Sequence, residues 1–455
     1  MNFSHPAFSG LIGFAQADIT PPPGIYARNW GAASHDIAEG IHRPLHVRVL
    51  YLQANNSDNP MFLVSLDLGW WKTREDEWFL RGALLEEFGL DESRVLINLT
   101  HTHSGPVFCR EDIDKPGGEV IASYLEKVRE ATLEAAIEAY KGSTPSSLDW
   151  AVGKCTLAQN RDLPDPNKER IVCGFRPNSF ADDTLLVGRV TSEDNKLLCI
   201  LANYACHPTT LAWENKLISP DWIGAFYDLI KTQTGAPAMF LQGASGELQA
   251  RETYTGNVEI ANAQGRQFAF AVLSTLEGML PVKMGLEYSG VVESGAPLAT
   301  WKRVSHSPNQ KLAAKKIEVE LSLKNLATNA ELEQELNVCK DRMMRERLIR
   351  KMRVNRVVGE NDSTFLPLWI WEIGDAIFIA QREEAYSIYQ MELRARFPDK
   401  AIIIMNLTNG SCGYLPPAAL YDLDIYQVWQ TPYERGGLEK LIEAATSAIA
   451  RLGLS

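Results

Sequence analysis

Val95-Leu96-Ile97-Asn98-Leu99-Thr100-His101-Thr102-His103-Ser104-Gly105-Pro106 is the stretch around which this 455-residue chain is best read. Its first five positions are almost wholly apolar and rich in branched side chains, too short for an ordinary helix, which predicts a strand inside a sheet. The strand runs out onto two histidines spaced by one residue. Side chains of an extended segment alternate with a period of two, so His101 and His103 fall on the same side. A second strand, residues 196–205, runs out onto Cys206-His207-Pro208-Thr209-Thr210 in the same way. The chain has eight histidines, and three of them sit at these two strand ends. Histidines placed where strands meet loops can aim ring nitrogens at one shared point.

The surroundings of both motifs alternate between the two periodicities. Residues 11–18 predict a strand closed by Thr20-Pro21-Pro22-Pro23-Gly24, and residues 45–53 and 61–68 predict two more. Residues 75–88 show helical spacing, with Trp78, Leu80, Leu84 and Leu85 on one side, and residues 121–140 an amphipathic helix. Residues 184–191 and 196–205 read as an antiparallel pair. A helix at 221–234, a buried strand at 238–242 and a helix at 260–280 follow. Strands at 366–373, 376–380 and 401–407 bracket a helix at 384–397. Strand and helix in alternation predict an α/β fold, a central mixed β-sheet structure flanked by helices. We expect a single catalytic domain over residues 1–455, without a C-terminal β-sandwich domain. Residues 323–358 carry Glu, Lys, Arg, Leu and Met without Gly or Pro, which predicts a helical pair projecting from the core, suited to a lid or a homo-oligomer interface.

Composition excludes some functions. A net charge of -12 disfavours a general nucleic-acid binder, which needs a basic face to neutralise phosphates. The basic run at 343–356 reads as a solvated helix face. Seven scattered cysteines, none in a C-x-x-C pair, fit a reducing compartment better than a disulfide framework. The N-terminus lacks an export signal and no run is long and apolar enough for a stable membrane anchor, so a cytoplasmic location is expected.

Asn98-Leu99-Thr100-His101-Thr102-His103-Ser104-Gly105-Pro106, Asn203-Tyr204-Ala205-Cys206-His207-Pro208-Thr209, Phe240-Leu241-Gln242-Gly243-Ala244-Ser245-Gly246-Glu247 and Gly413-Tyr414 occur in that order. Together they resemble the neutral (non-lysosomal) ceramidase family, as do Gly13-Phe14-Ala15-Gln16-Ala17-Asp18 and Gly40-Ile41-His42-Arg43. The resemblance implies a zinc ion held by His101, His207, a glutamate and Tyr414. The glutamate is Glu383 or Glu384, and alignment through Leu393-Arg394 favours Glu384. It also implies catalytic roles for His103, Arg161 and Tyr426. In the implied reaction zinc lowers the pKa of a bound water, which attacks an amide or ester carbonyl, while the three side chains steady the oxyanion or move a proton. Gln249 stands where the family carries a serine, so the expected substrate is a small amide or ester more polar than ceramide. Arg161 could instead pair with Asp162 or Asp165, Tyr426 could simply pack beside Trp429, Asp18 and Asp67 read as loop caps, and Glu247 as an organiser of its loop. Two other readings remain: a non-catalytic metal-binding sensor or scaffold, and a metal-independent hydrolase using Ser104 or Ser245.

Overall fold

Eight strands form one mixed sheet in the order Ala238–Gln242, Leu197–Tyr204, Thr184–Ser192, Thr144–Lys154, Ala7–Asp18, His46–Gln53, Met61–Leu66, Val95–Leu99. These come from a computed structural model that describes residues 1–55 and 59–452. The ladder is antiparallel through its middle and parallel at both edges. Followed through the ladder, the two edge strands run in opposite senses, yet their carboxyl ends meet. The Gln242 amide donates to Asn98 Oδ1 at 2.9 Å, and Ser65 Oγ donates to the Phe240 carbonyl at 2.8 Å. Strand-to-strand twist of about 20–25° per step, accumulated across the ladder, accounts for turning one edge over to meet the other.

A second sheet, Leu312–Ser322, Ser363–Ile373, Ala376–Ala380 and Ala401–Met405, packs on the first. Trp369, Trp371, Phe378 and Ile403 interleave there with Leu50, Leu63, Trp150 and Leu201 in one buried layer. Helices Arg74–Phe88 and Ile121–Lys141 cover one part of the first sheet's outer face, and Trp222–Thr234 and Val258–Glu277 another. Ile388–Arg396 and Gly437–Leu452 cover the second sheet. The α/β class is as read from the sequence, with one addition: each sheet is sheltered by helices on one side and by its fellow sheet on the other. Among the described residues no helix is long and apolar enough to cross a membrane.

Four local expectations need correction. Trp78 is 44% exposed, and the buried stripe of its helix instead carries Asp76, Glu77 and Arg81 beside Leu80, Leu84 and Leu85. Charges enter there because Arg81 pairs with Glu77, while Asp76 is held by Thr73 and Arg110. The helix expected from residue 384 starts at Ile388, because Glu384 and Ala385 are drawn into parallel pairing with Tyr414 and Leu415. Asp67 is no mere cap: fully buried, it meets Arg48 at 2.8 Å.

The fourth concerns residues 323–358. The helices Asn329–Val338 and Arg342–Val358 do form, but the second lies across the molecule instead of projecting from it. Its basic residues divide: Arg345, Arg347 and Lys351 are exposed and meet no carboxylate among the described residues, as a solvated face would have it, while three other arginines of the helix are engaged. Arg342 pairs with Asp36, Arg353 with Asp112 at 3.0 Å, and Arg356 with Glu111 at 2.7 Å. The excursion is thereby fastened to loops that belong to the first sheet.

Candidate metal centre

The two histidine motifs and the second sheet converge at strand carboxyl ends. After Val95–Leu99 the chain bends back, with the Thr100 and His101 amides donating to the Leu66 and Leu68 carbonyls at 2.9 Å each. This bend puts His101 at φ +72°, a conformation that costs a non-glycine residue about 1–3 kcal/mol and persists only where its surroundings enforce it. His207 follows Leu197–Tyr204, and its amide donates to the Leu248 carbonyl at 2.9 Å. Glu384 arrives just beyond Ala376–Ala380, and Tyr414 lies beside it in parallel register.

Glu384 Oε2 lies 2.9 Å from His207 Nε2 and 3.4 Å from His101 Nε2. One ligand atom from each of the three residues falls within a 4.8 Å span. The far nitrogens are committed: His101 Nδ1 is 3.1 Å from the Gly69 carbonyl, and His207 Nδ1 is 3.0 Å from that of Leu248. Donation to a carbonyl fixes the Nδ1–H tautomer and turns the Nε2 lone pair inward, the arrangement that supports histidine metal ligands. Two such lone pairs aimed at a carboxylate repel unless a cation stands among them. A proton does not serve at His207, because burial, with Arg161 nearby, lowers its imidazole to about 3. Burial alone would raise the Glu384 carboxyl, but the facing His101 and His207 hold it well below the usual carboxylate range. The donor set therefore fits a divalent cation with nitrogen and oxygen preferences.

Glu383, the other candidate glutamate, turns away. Tyr433 Oη donates to it at 2.5 Å and Arg382 Nε at 2.9 Å, both in the interior. Tyr414 is brought to Glu384, and burial beside that carboxylate raises its phenol well above the ordinary value. Arg161 does not pair with Asp165, which is taken by Arg170 at 2.7 Å. Its guanidinium instead donates to the Gly246 carbonyl at 2.7 Å and to Tyr414 Oη at 3.1 Å. Tyr426 packs its ring 5.6 Å from that of Tyr414, whereas Trp429 faces solvent and bonds Asp424. His103 Nε2 lies 3.3 Å from His101 Nε2, and burial, followed by the other two histidines, lowers its pKa well below the usual value. Glu247 accepts the Ser387 amide at 2.9 Å and so ties its own loop to the segment carrying Glu384.

The alternative serine nucleophiles lack a base. Ser104 Oγ donates to the Leu211 carbonyl at 3.3 Å and Ser245 Oγ accepts from Gln242 at 2.6 Å, and neither meets a histidine among the described residues. Gln249 is fully buried, and accepts from Tyr254 Oη at 2.7 Å.

Two features escaped the sequence reading. Aromatic rings wall His103, with Trp30 and Trp70 centred 5.0 and 4.8 Å from it and Trp213 and Tyr254 packed behind Trp30. Of these Trp70 could have given a signal, since Gly69-Trp70-Trp71 directly follows the run 61–68. Arg350 reaches Tyr426 Oη at 3.0 Å, and nothing in the basic run set it apart from its neighbours.

A profile of the neutral/alkaline non-lysosomal ceramidase N-terminal domain matches residues 11–240. Among solved structures of similar fold, one described as a ceramidase complexed with C2 superposes with a TM-score of 0.66 at 15% identity, covering 97% of this chain and 74% of that one. The neutral ceramidase from Pseudomonas aeruginosa superposes with a TM-score of 0.64, also at 15% identity and with the same coverage. At that identity the two likenesses speak to the fold. No curated protein matches the chain in sequence.

Proposed function

Since the chain belongs to the neutral/alkaline non-lysosomal ceramidase family, we propose that it is a zinc-dependent amide or ester hydrolase acting on a small molecule more polar than ceramide. The observation that carries this reading is the convergence of His101, His207 and Glu384 with both Nδ1 atoms locked to carbonyls. Those three residues and Tyr414 would hold the ion. Zinc so held supplies Lewis acidity and a water acidified to near neutral pH.

The chain's own groups have separable tasks. His103, kept neutral by burial and aimed at the same point, can accept a proton at Nε2 and return it to the leaving group. Arg161, anchored on the Gly246 carbonyl, places positive charge beside Tyr414, where negative charge on a carbonyl oxygen would be stabilised. Tyr426, its ring packed on that of Tyr414, can supply an O–H donor to the bound substrate. The tryptophans around His103 shelter part of its ring from solvent.

Elemental analysis of protein purified without a metal-affinity tag tests the proposal. We expect about one zinc per chain in the wild type and none in His207→Ala. A wild type that stays metal-free after zinc is supplied would sink it.

A further inference from the structure

The helix Arg342–Val358 is clamped on the face that turns toward the site. Glu346 meets Arg28 at 2.7 Å, and Arg353 meets Asp112 at 3.0 Å. Position 350 lies one turn after the first clamp and one turn before the second, on the same face, since residues three and four apart align along a helix. Its side chain is therefore carried by a rigid support.

Arg350 differs from the clamping arginines of its helix in its partners, and from Arg345 and Arg347, which also meet no carboxylate, in reaching the tyrosine that packs on Tyr414. Arg342, Arg353 and Arg356 each meet a carboxylate. Among the described residues Arg350 donates only to neutral oxygens, Tyr426 Oη at 3.0 Å and Gln430 Oε1 at 3.5 Å. It is open to solvent. It is within electrostatic reach of Tyr414 and Glu384, and Lys72 stands near enough to feel its charge. Lys72 already shares Asp112 with Arg353 at 3.5 Å, and Arg353 and Arg356 share Glu111. Of these four cations, Arg350 is the one that meets neither carboxylate. Because Tyr426 Oη accepts from Arg350, its own hydrogen is free to be donated, and no acceptor for it occurs among the described residues.

We infer that Arg350 and Tyr426 form a receptor for a carboxylate on the substrate, so that the hydrolysed compound is an N-acylated or O-acylated acid. This rests on the hydrolase reading, in which Glu384 is committed to a metal ion and leaves the guanidinium without a counter-charge. A planar guanidinium fork beside a phenol donor suits the two oxygens of a carboxylate, and charge-assisted bonds are the stronger ones. An uncharged two-chain lipid amide would leave both donors unmatched, at a cost in affinity.

The test reads binding, so it stands apart from turnover. N-acetylglycine, N-acetyl-β-alanine and N-acetyl-γ-aminobutyrate, each against its neutral N-methylamide, are titrated calorimetrically into zinc-loaded wild type, Arg350→Gln and Arg356→Gln. At least one acid should bind about tenfold or more tightly than its amide in the wild type. That preference should vanish in Arg350→Gln and persist in Arg356→Gln, which loses the same charge from a paired position. No acid preferred over its amide, a preference that survives in Arg350→Gln, or an equal loss in Arg356→Gln would each overturn the inference. Zinc content and amine release, measured on the same samples, report separately on the hydrolase reading. A protein that binds acids through Arg350 without zinc or turnover would retain the receptor and lose the enzyme.

Discussion

The half of the chain up to residue 250 and the half from residue 312 build the candidate centre by different means. The first contributes His101, His103, Arg161 and His207, each one to four residues beyond a strand or on a short one, within motifs compact enough to be quoted as strings. The second contributes Glu384, Tyr414, Tyr426 and Arg350, spread over four separate elements. Ligands that leave strand ends near the two meeting edges of one sheet are aligned by that sheet. Those from the second half are aligned only if the two sheets dock in one register.

Buried amides enforce that register. Asn203 Nδ2 donates to the Ile404 carbonyl at 2.7 Å, Asn98 Nδ2 to the Asn406 carbonyl at 2.6 Å, and Asn409 Oδ1 accepts the Ile97 amide at 2.8 Å. Each bond spans the two sheets just beneath the histidines. Apolar packing alone tolerates sliding; a buried amide left unpaired by a slip does not. The docking is specified by polar groups at the strand ends and held together by the tryptophan-rich layer below.

Changes on either side of the seam should distinguish the contributions. The largest effect is expected from the ligands themselves: Glu384→Gln should lose metal as completely as His207→Ala, while Glu383→Gln keeps it. Equal zinc contents in Glu384→Gln and wild type would break the claim that both halves hold the ion. Next, His103→Ala should retain metal and lower turnover about 10²-fold or more, read as kcat at saturating substrate. Undiminished kcat would remove the proton-transfer role.

Asn203→Ala should lower stability by about 1–3 kcal/mol, because the Leu241 and Ile404 carbonyls both lose their donor. Denaturant unfolding measures it, and a change below about 0.5 kcal/mol would mean that the staple does not set the docking. The gentlest effect is pH-linked. Burial raises the Glu247 carboxyl to about 7 from an ordinary 4.5. A raised folded-state pKa means that the folded chain keeps a proton the unfolded chain has released. Stability from this group is full below about 4.5 and falls as pH rises toward 7, by less than about 1.4 kcal/mol per unit. Glu247→Gln should flatten that slope in melting temperature across pH 5–8, and an unchanged slope would place its origin elsewhere.

Legibility followed the same division. His101 and His207 stood out because a strand period, a Gly or Pro stop and a rare residue coincided within a few positions. Glu384 was harder, since Glu383-Glu384-Ala385 has helical propensity and the neighbouring glutamate is chemically identical. Pairing with Tyr414 and the Glu247 bond to Ser387 override that propensity, and both partners are distant in sequence. Arg350 gave no signal at all. What sets it apart arises because Asp36, Glu111 and Asp112, remote in the chain, take up Arg342, Arg353 and Arg356, while Arg350 alone of the helix reaches Tyr426.

The sequence by itself determined the element types, the α/β class, the histidine motifs and the family, because periodicity, turn residues and short strings are local properties of a chain. Tertiary structure decided the rest: that a twisted sheet brings opposite edges together, that a second sheet carries a carboxylate to two locked imidazoles, and that a basic helix becomes one wall of the site. Those outcomes depend on which buried polar groups find partners across hundreds of residues, and no local pattern encodes that choice.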